Sequence, residues 1–529
     1  MRRFLSLLVV ALAVAAASLA QEGPATAPVD AASPAAGSPA PAASASPSVA
    51  NQSTAESATR ALSLADALAL AEGAGEGMRV AEAEVERAQA QRRQARSERF
   101  PQLDASGSYS RTLRSEFEDI SFDFGDDAGS GDLGDLPFGQ RNQYRLGLVL
   151  NQTLWSAGRI GAQTRAADAG LAAARTGLAA TRAELALDVT QAYFDALLLD
   201  RLVNISQATL EQADRAYEQT KLARQVGNQS EFELLRAQVA RDNERPQLVQ
   251  RRADRDLAYA RLAQLLDLPP EQPLQLTTSF VDFATWEARG AVPAAAERPA
   301  WLQRLAAERA PVRQAQAAVD AQEQQVKIAR ALRLPSVGAT SDYGRVAYPA
   351  GGLPAWSDTR TNWTVGLGLR VPLLTGGRLA AEEGAVRAVL DQTRARLDQV
   401  RELAWLDGRD ALDRLAAAEA VYQAAFGTVA QAQRAYEIAE LRYREGLSTQ
   451  LELNDTRIQL TFAQGNAALA ARNLQVTRAR VALLPDLPLG AGANSTLTAA
   501  SFGVSGPGAV GAPTVVTPAA VAGASPAGF

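Results

Sequence analysis

The residue types that most often do chemistry are missing from this chain. No His and no Cys occurs among its 529 residues, and Lys221 and Lys327 are its only lysines. That removes the commonest general base, the thiol nucleophile, disulfides and the usual zinc ligands. It also removes the cysteine through which a chain can be lipid-anchored. No Gly-Lys pair is present, so a Walker A phosphate loop is excluded. Carboxylates are the remaining candidates. Residues 116-135 hold Glu116, Glu118, Asp119, Asp123, Asp126, Asp127, Asp132 and Asp135 with no base among them. Their spacing is not that of an EF-hand, and the stretch reads as a solvated acidic loop. No compact segment pairs acids as a hydrolase pocket would. The residues therefore point away from an enzyme, and no cofactor is expected. A net charge of -5 gives no footprint for nucleic acid.

The elements around these residues follow from pattern. Residues 1-20 read as a secretory signal: Arg2-Arg3, an apolar run from Phe4, then Ser18-Leu19-Ala20. Residues 21-58 are mostly Ala, Pro and Ser and read as a linker, because they bury too little to offset ordering. Residues 485-529 read as a low-complexity tail. Between these ends the chain is duplicated. Ala157-Gly158-Arg159 recurs as Gly376-Gly377-Arg378, and Ala216-Tyr217 recurs as Ala435-Tyr436, both at an offset of 219. Leu222, Gly227 and Leu234 recur as Leu441, Gly446 and Leu453 at the same offset. We expect two repeats, 59-266 and 299-484, joined by an inter-repeat segment, 267-298.

Each repeat holds a long stretch without Pro, 160-223 and 379-442. Apolar residues return every seven positions: Leu171, Leu178, Leu185, Ala192, Leu199, then Leu390, Leu397, Ala404, Ala411. This is coiled-coil periodicity with small residues that allow close packing. Helices are expected over 159-226 and 231-266, and over 378-445 and 449-484. Upstream of each long helix the period changes to two. In 361-373, Thr361, Trp363, Val365, Leu367, Leu369, Val371 and Leu373 alternate with Asn362, Thr364, Gly366, Gly368, Arg370 and Pro372. Strands are expected over 101-114, 141-154, 335-348 and 361-374. Four strands cannot close a barrel, and an open edge cannot sit in lipid. If these strands span a membrane, several chains must share one barrel.

At this point the residues resemble the TolC-type outer-membrane factor family over about 61-484. The resemblance rests on Leu62-Ser63-Leu64-Ala65-Asp66-Ala67-Leu68 and on Pro101 and Pro335 before the strands. It also rests on Ser156-Ala157-Gly158-Arg159, Thr375-Gly376-Gly377-Arg378 and Tyr443-Arg444-Glu445-Gly446. It implies a mainly α fold with a β-barrel contribution: a homotrimer with a 12-stranded barrel in outer-membrane lipid above a long periplasmic helical tunnel. An equatorial layer would draw on 267-298 and the tail. The implied function is a passive exit duct for a tripartite efflux pump or type I secretion system. The implied partners are a periplasmic adaptor (membrane fusion protein) and an inner-membrane pump.

By motif position, the acidic residues of the constricted periplasmic end would be Glu452 and Asp455, with Glu233 in the first repeat. Tyr443 matches an aromatic that helps hold relatives closed. In a trimer Glu452 and Asp455 would supply six carboxylates, a ring that favours cations and invites block by divalent ions. No firm metal site is implied. Several relatives carry Arg where this chain has Ser448, leaving Arg442 or Arg444 as substitutes. The tip that meets the adaptor would be Gly227, Asn228 and Ser230 with Gly446, Leu447 and Ser448. Those residues also read as helix caps. A secreted coiled-coil scaffold or envelope tether is the alternative; it explains the heptads but not four alternating strands.

Overall fold

The computed structural model describes residues 60–114, 142–269, 272–280, 296–349 and 354–491. The expected signal 1-20, the linker 21-58, the acidic loop 116-135 and the tail beyond 491 lie outside the described residues.

The first repeat opens with β1 (Arg60–Leu62), α1 (Leu64–Ala74) and α2 (Glu76–Ser97), followed by β2 (Gln102–Arg111) and β3 (Asn142–Trp155). Then come α3 (Arg159–Gln225) and α4 (Glu231–Leu265). After β4 (Leu274–Leu276) the order returns: α5 (Arg298–Glu308), α6 (Ala310–Ala331), β5 (Ser336–Ala347), β6 (Arg360–Arg370), α7 (Arg378–Arg444) and α8 (Gln450–Leu483). Helices α3 and α7 are each 67 residues long, roughly 100 Å at 1.5 Å per residue. Gly158 and Gly377 precede them at φ +84° and +81°, a left-handed turn that most side chains resist. Pro246 lies inside α4 and removes one N–H without ending the helix.

β2, β3, β5 and β6 form one antiparallel sheet in that spatial order. Its register sorts the side chains by face. Ala105, Leu148, Tyr343 and Trp363 stand opposite one another in one row, and Leu103, Leu150, Ser341 and Val365 in the next row of the same face. The other face carries Asp104, Ser106, Gly147, Asp342, Thr364 and Gly366. One face is therefore mainly apolar and aromatic, the other mainly polar or glycine with Val149 and Val346 as exceptions. A bulge between Thr153 and Trp155 keeps Trp155 on the apolar face, opposite Val337. The outer edges of β2 and β6 have no strand partner among the described residues.

The core sits at the waist of the helices. Leu62, Leu64, Leu68, Leu187, Tyr193, Phe194 and Leu262 are buried there together. Ser63 caps α1 through a reciprocal pair with Asp66. The hydroxyl of buried Tyr193 donates to Leu62 O at 2.9 Å and accepts from Thr278 N–H at 3.0 Å. It thereby holds the parallel pair β1–β4 against α3. A second waist contact is polar. Arg309, wholly buried between α5 and α6, and Arg480 of α8 both reach Asp407 of α7 at 2.6 Å. Arg309 also donates to Leu487 O and Pro488 O, which pins residues 485–491 to the helices. Next to Asp407, Gly408 lets α5 approach: a Cβ there would lie 2.6 Å from Leu305 Cδ2.

Candidate functional site

The helical end remote from the sheet is built from two turns of the same design. Gly227 follows α3 at φ +82° and Gly446 follows α7 at φ +72°. Asn228 N–H donates to Ala223 O at 2.8 Å, and Gly227 N–H to Arg224 O at 3.0 Å. Leu447 N–H donates to Arg442 O at 2.8 Å, and Gly446 N–H to Tyr443 O at 3.1 Å. Both are Schellman caps, which satisfy carbonyls that would otherwise be left at the helix end. Ser230 and Thr449 then open α4 and α8, each accepting the backbone N–H three residues on. Those acceptances, at 3.3 Å, come from Glu233 and Glu452. The two carboxylates thus sit in helix first turns, where the helix dipole favours negative charge. Gly227, Asn228, Ser230, Gly446 and Leu447 are exposed at the turns, while Ser448 is half-buried.

The acidic residues are not equivalent. Glu452 is ion-paired to Arg442 at 3.1 Å across its own hairpin. Asp455, one turn further, is exposed and accepts only a long 3.4 Å bond from Gln459. Glu233 is half-buried, and its Oε2 has no hydrogen-bond partner among the described residues. Buried Ser448 Oγ and Gln450 Oε1 at the second turn are also without partners there. In the first hairpin Arg224 pairs with Glu231 at 3.1 Å.

Tyr443 links the two hairpins. Its hydroxyl lies 2.8 Å from Thr220 Oγ1 of α3. Burial raises its phenol pKa, the Thr220 hydrogen bond partly offsets this, and the nearby Glu233 charge raises it further. It therefore stays protonated at physiological pH and keeps its hydrogen bond. About three turns deeper along α3, buried Arg457 of α8 makes a second link. It reaches Glu244 of α4 at 3.2 Å, Thr209 O of α3 at 3.2 Å and Asn454 at 2.7 Å. Thr209 and Thr461 hydroxyls meet at 3.0 Å beside it.

Thr220, Glu244 and Arg457 were not among the residues singled out from sequence. A signal was present in the repeat. At the offset of 219 their counterparts are Ala439, Ala463 and Gln238, so polarity is present in one copy and absent or weaker in the other. A cross-hairpin contact between non-equivalent faces needs such a difference.

Taken together these features form a helical body with a polar end and a sheet with one apolar face. A family model described as outer membrane efflux protein matches residues 68–267 and 301–484. The chain belongs to the outer membrane efflux protein family. As a member of that family it resides in the outer membrane, with its helices extending into the periplasm. Among curated members it is similar to the pyoverdine export outer membrane protein OpmQ of Pseudomonas putida, 26% identical over 307 residues. That match covers 58% of this chain and 61% of the relative, less than two thirds of the relative's length. Protein CyaE of Bordetella pertussis is 26% identical over 352 residues, 66% of this chain and 72% of that protein. The solved structure of the outer membrane protein VceC of Vibrio cholerae shares the fold at TM-score 0.64 and 21% identity, covering 80% of this chain and 96% of that one.

Proposed function

We propose that this outer membrane efflux protein is a passive exit duct, assembled as a homotrimer and fed by an inner-membrane pump through a periplasmic adaptor. The observation that carries the reading is the sheet. It is mainly apolar on one face, mainly polar on the other, and among the described residues open at both edges, β2 and β6. Unpaired edge N–H and C=O groups are untenable in lipid, where nothing replaces water. Joining β6 of one copy to β2 of the next removes every edge, and three copies make 12 strands. The apolar face then meets lipid and the polar face lines a wet lumen. Helices α3 and α7 continue that lumen into the periplasm.

The hairpin tips, Gly227, Asn228 and Ser230 with Gly446, Leu447 and Ser448, are where the adaptor docks in this reading. Asp455, Glu452 and Glu233 line the constriction. Of these Asp455 contributes most to cation attraction, because Arg442 partly neutralises Glu452. Energy input comes from the pump, and the duct itself performs no covalent chemistry.

The oligomer is tested in two ways. On unheated SDS gels the purified protein is expected at three times the mass of one processed chain, somewhat under three times 55.8 kDa, collapsing to one chain on boiling. The absence of native cysteine allows a clean accessibility test. In native membranes Thr364→Cys is expected to react with a water-soluble maleimide and Val365→Cys to be protected. Equal labelling at the two positions would contradict the assignment of the faces.

A further inference from the structure

Two charged residues stand on the apolar face of the sheet, Arg111 at the end of β2 and Arg345 within β5, and Arg345 is the one held against an aromatic ring. Arg345 lies in the row of Thr361, Leu146 and Gly107, on the apolar side, two residues from Tyr343 and from Ala347. Its guanidinium carbon sits 3.9 Å from the centre of the Trp356 ring, which the turn before β6 holds over it. Trp356 itself is exposed. Arg345 Nε is buried and has no hydrogen-bond partner among the described residues. The nearest acid in sequence to Trp356, Asp358, is already occupied by Ala355 N–H at 3.0 Å and the Ser357 hydroxyl at 3.1 Å. A guanidinium is therefore held against an aromatic ring with its Nε–H unspent among the described residues.

Its height along the strand says what it meets. The row of Trp155 and Val337 marks the end of the apolar face nearest the helices. Arg345 is eight residues further along β5, ~27 Å of strand at 3.4 Å per residue. With strands tilted by ~40°, this is about 20 Å of vertical height on an apolar band ~25 Å tall. Arg345 thus stands near the outer rim of the band, at the level of lipid headgroups. Arg binds phosphate oxygens through two parallel N–H bonds, which a fixed guanidinium favours.

We propose that Arg345 stacked on Trp356 is a binding site for the phosphate of an outer-leaflet lipid headgroup. The site rests on the reading that the apolar face of the sheet meets lipid. It fixes the depth of the barrel and ties each copy to the anionic outer surface.

The test is native mass spectrometry of the detergent-purified oligomer titrated with lipid A, which carries phosphate, and with phosphatidylcholine, whose headgroup is zwitterionic. The wild type is expected to hold lipid A in up to one copy per chain and to prefer it over phosphatidylcholine. Arg345→Gln should weaken lipid A by about tenfold or more, the scale of a lost charge-assisted pair. Arg345→Lys should restore part of it, since a lysine keeps the charge and loses the fork. Trp356→Ala should weaken it by a few fold while leaving single-channel conductance unchanged. Unchanged lipid A binding in an Arg345→Gln oligomer that still inserts and conducts overturns the site alone. Inorganic phosphate that competes with lipid A at equal concentration overturns the lipid assignment in favour of a free anion. A wild-type oligomer that never inserts into bilayers removes both this site and the duct reading.

Discussion

Asp407→Asn is expected to destabilise the helical body by about 3–5 kcal/mol, the usual cost of leaving buried charge unpaired. The reason is the number of cations that depend on one carboxylate. Oδ2 holds Arg309 and Oδ1 holds Arg480, each at 2.6 Å, and Asp407 is itself only 12% exposed. Both arginines are almost fully buried, so neither can turn to water when the charge goes. Arg480 keeps a weaker partner in Asp410 at 3.4 Å, but Asp410 already serves Arg414. Arg309 keeps two carbonyls, Leu487 O and Pro488 O, and no other ion pair among the described residues. The segment 485–491 should loosen with it. Thermal melting followed by circular dichroism at 222 nm checks the loss. Asp413→Asn is the matched control: its pair with Arg409 is exposed on both sides, and its removal should cost ~0.5 kcal/mol or less. Similar shifts for the two variants would mean that the waist is not held by this cluster.

Releasing the second hairpin from the first is expected to open the periplasmic end. Besides the Thr209–Thr461 hydroxyl pair, two links cross between the hairpins near the tip. Tyr443–Thr220 is a half-buried hydrogen bond, worth about 1 kcal/mol. Arg457–Glu244 is a largely buried ion pair, and breaking it from one side costs about 3–5 kcal/mol. If both exist only in the closed arrangement, the double variant Tyr443→Phe with Arg457→Gln shifts the open population by about a thousandfold to ten-thousandfold. The single Tyr443→Phe shifts it about fivefold. Open probability in planar bilayers measures this directly. The melting curve of the waist should stay close to wild type, because Tyr193, Phe194 and Asp407 lie far along the helices from these links. A double variant as closed as the wild type would show that other contacts hold the end shut. Arg442–Glu452, which joins α7 to α8 within one hairpin, should have a small effect alone.

Much of this architecture was legible because it repeats. Heptads such as Leu171 to Leu199 report helical burial wherever they occur, and α3 and α7 are of equal length because the chain is duplicated without a gap between them. The strands were legible because one face meets an apolar medium, so Trp363, Val365 and Leu367 must alternate with Asn362, Thr364 and Gly366. Other features left no pattern. β1 and β4 have three residues each and pair in parallel across more than 200 positions, too short for any periodicity. Asp407 looks like one more surface acid on a helix, and nothing local says that Arg309 and Arg480 converge on it. Arg457 is hidden for the opposite reason. Its repeat counterpart is Gln238, and the contact exists only where the two copies differ. The caps at Gly227 and Gly446 were readable from residue type, whereas the pairing of Glu452 with Arg442 depends on how the hairpin closes.

The most direct measurement is the conductance of the detergent-purified oligomer in planar bilayers, with and without millimolar divalent cation on the periplasmic side. A duct with an acidic constriction should give discrete, cation-selective steps. Divalent cation should block them, and the block should weaken about tenfold or more in Glu452→Gln/Asp455→Asn, with Asp455→Asn supplying most of the change. A folded, membrane-inserted oligomer that shows no steps would contradict the account at its centre.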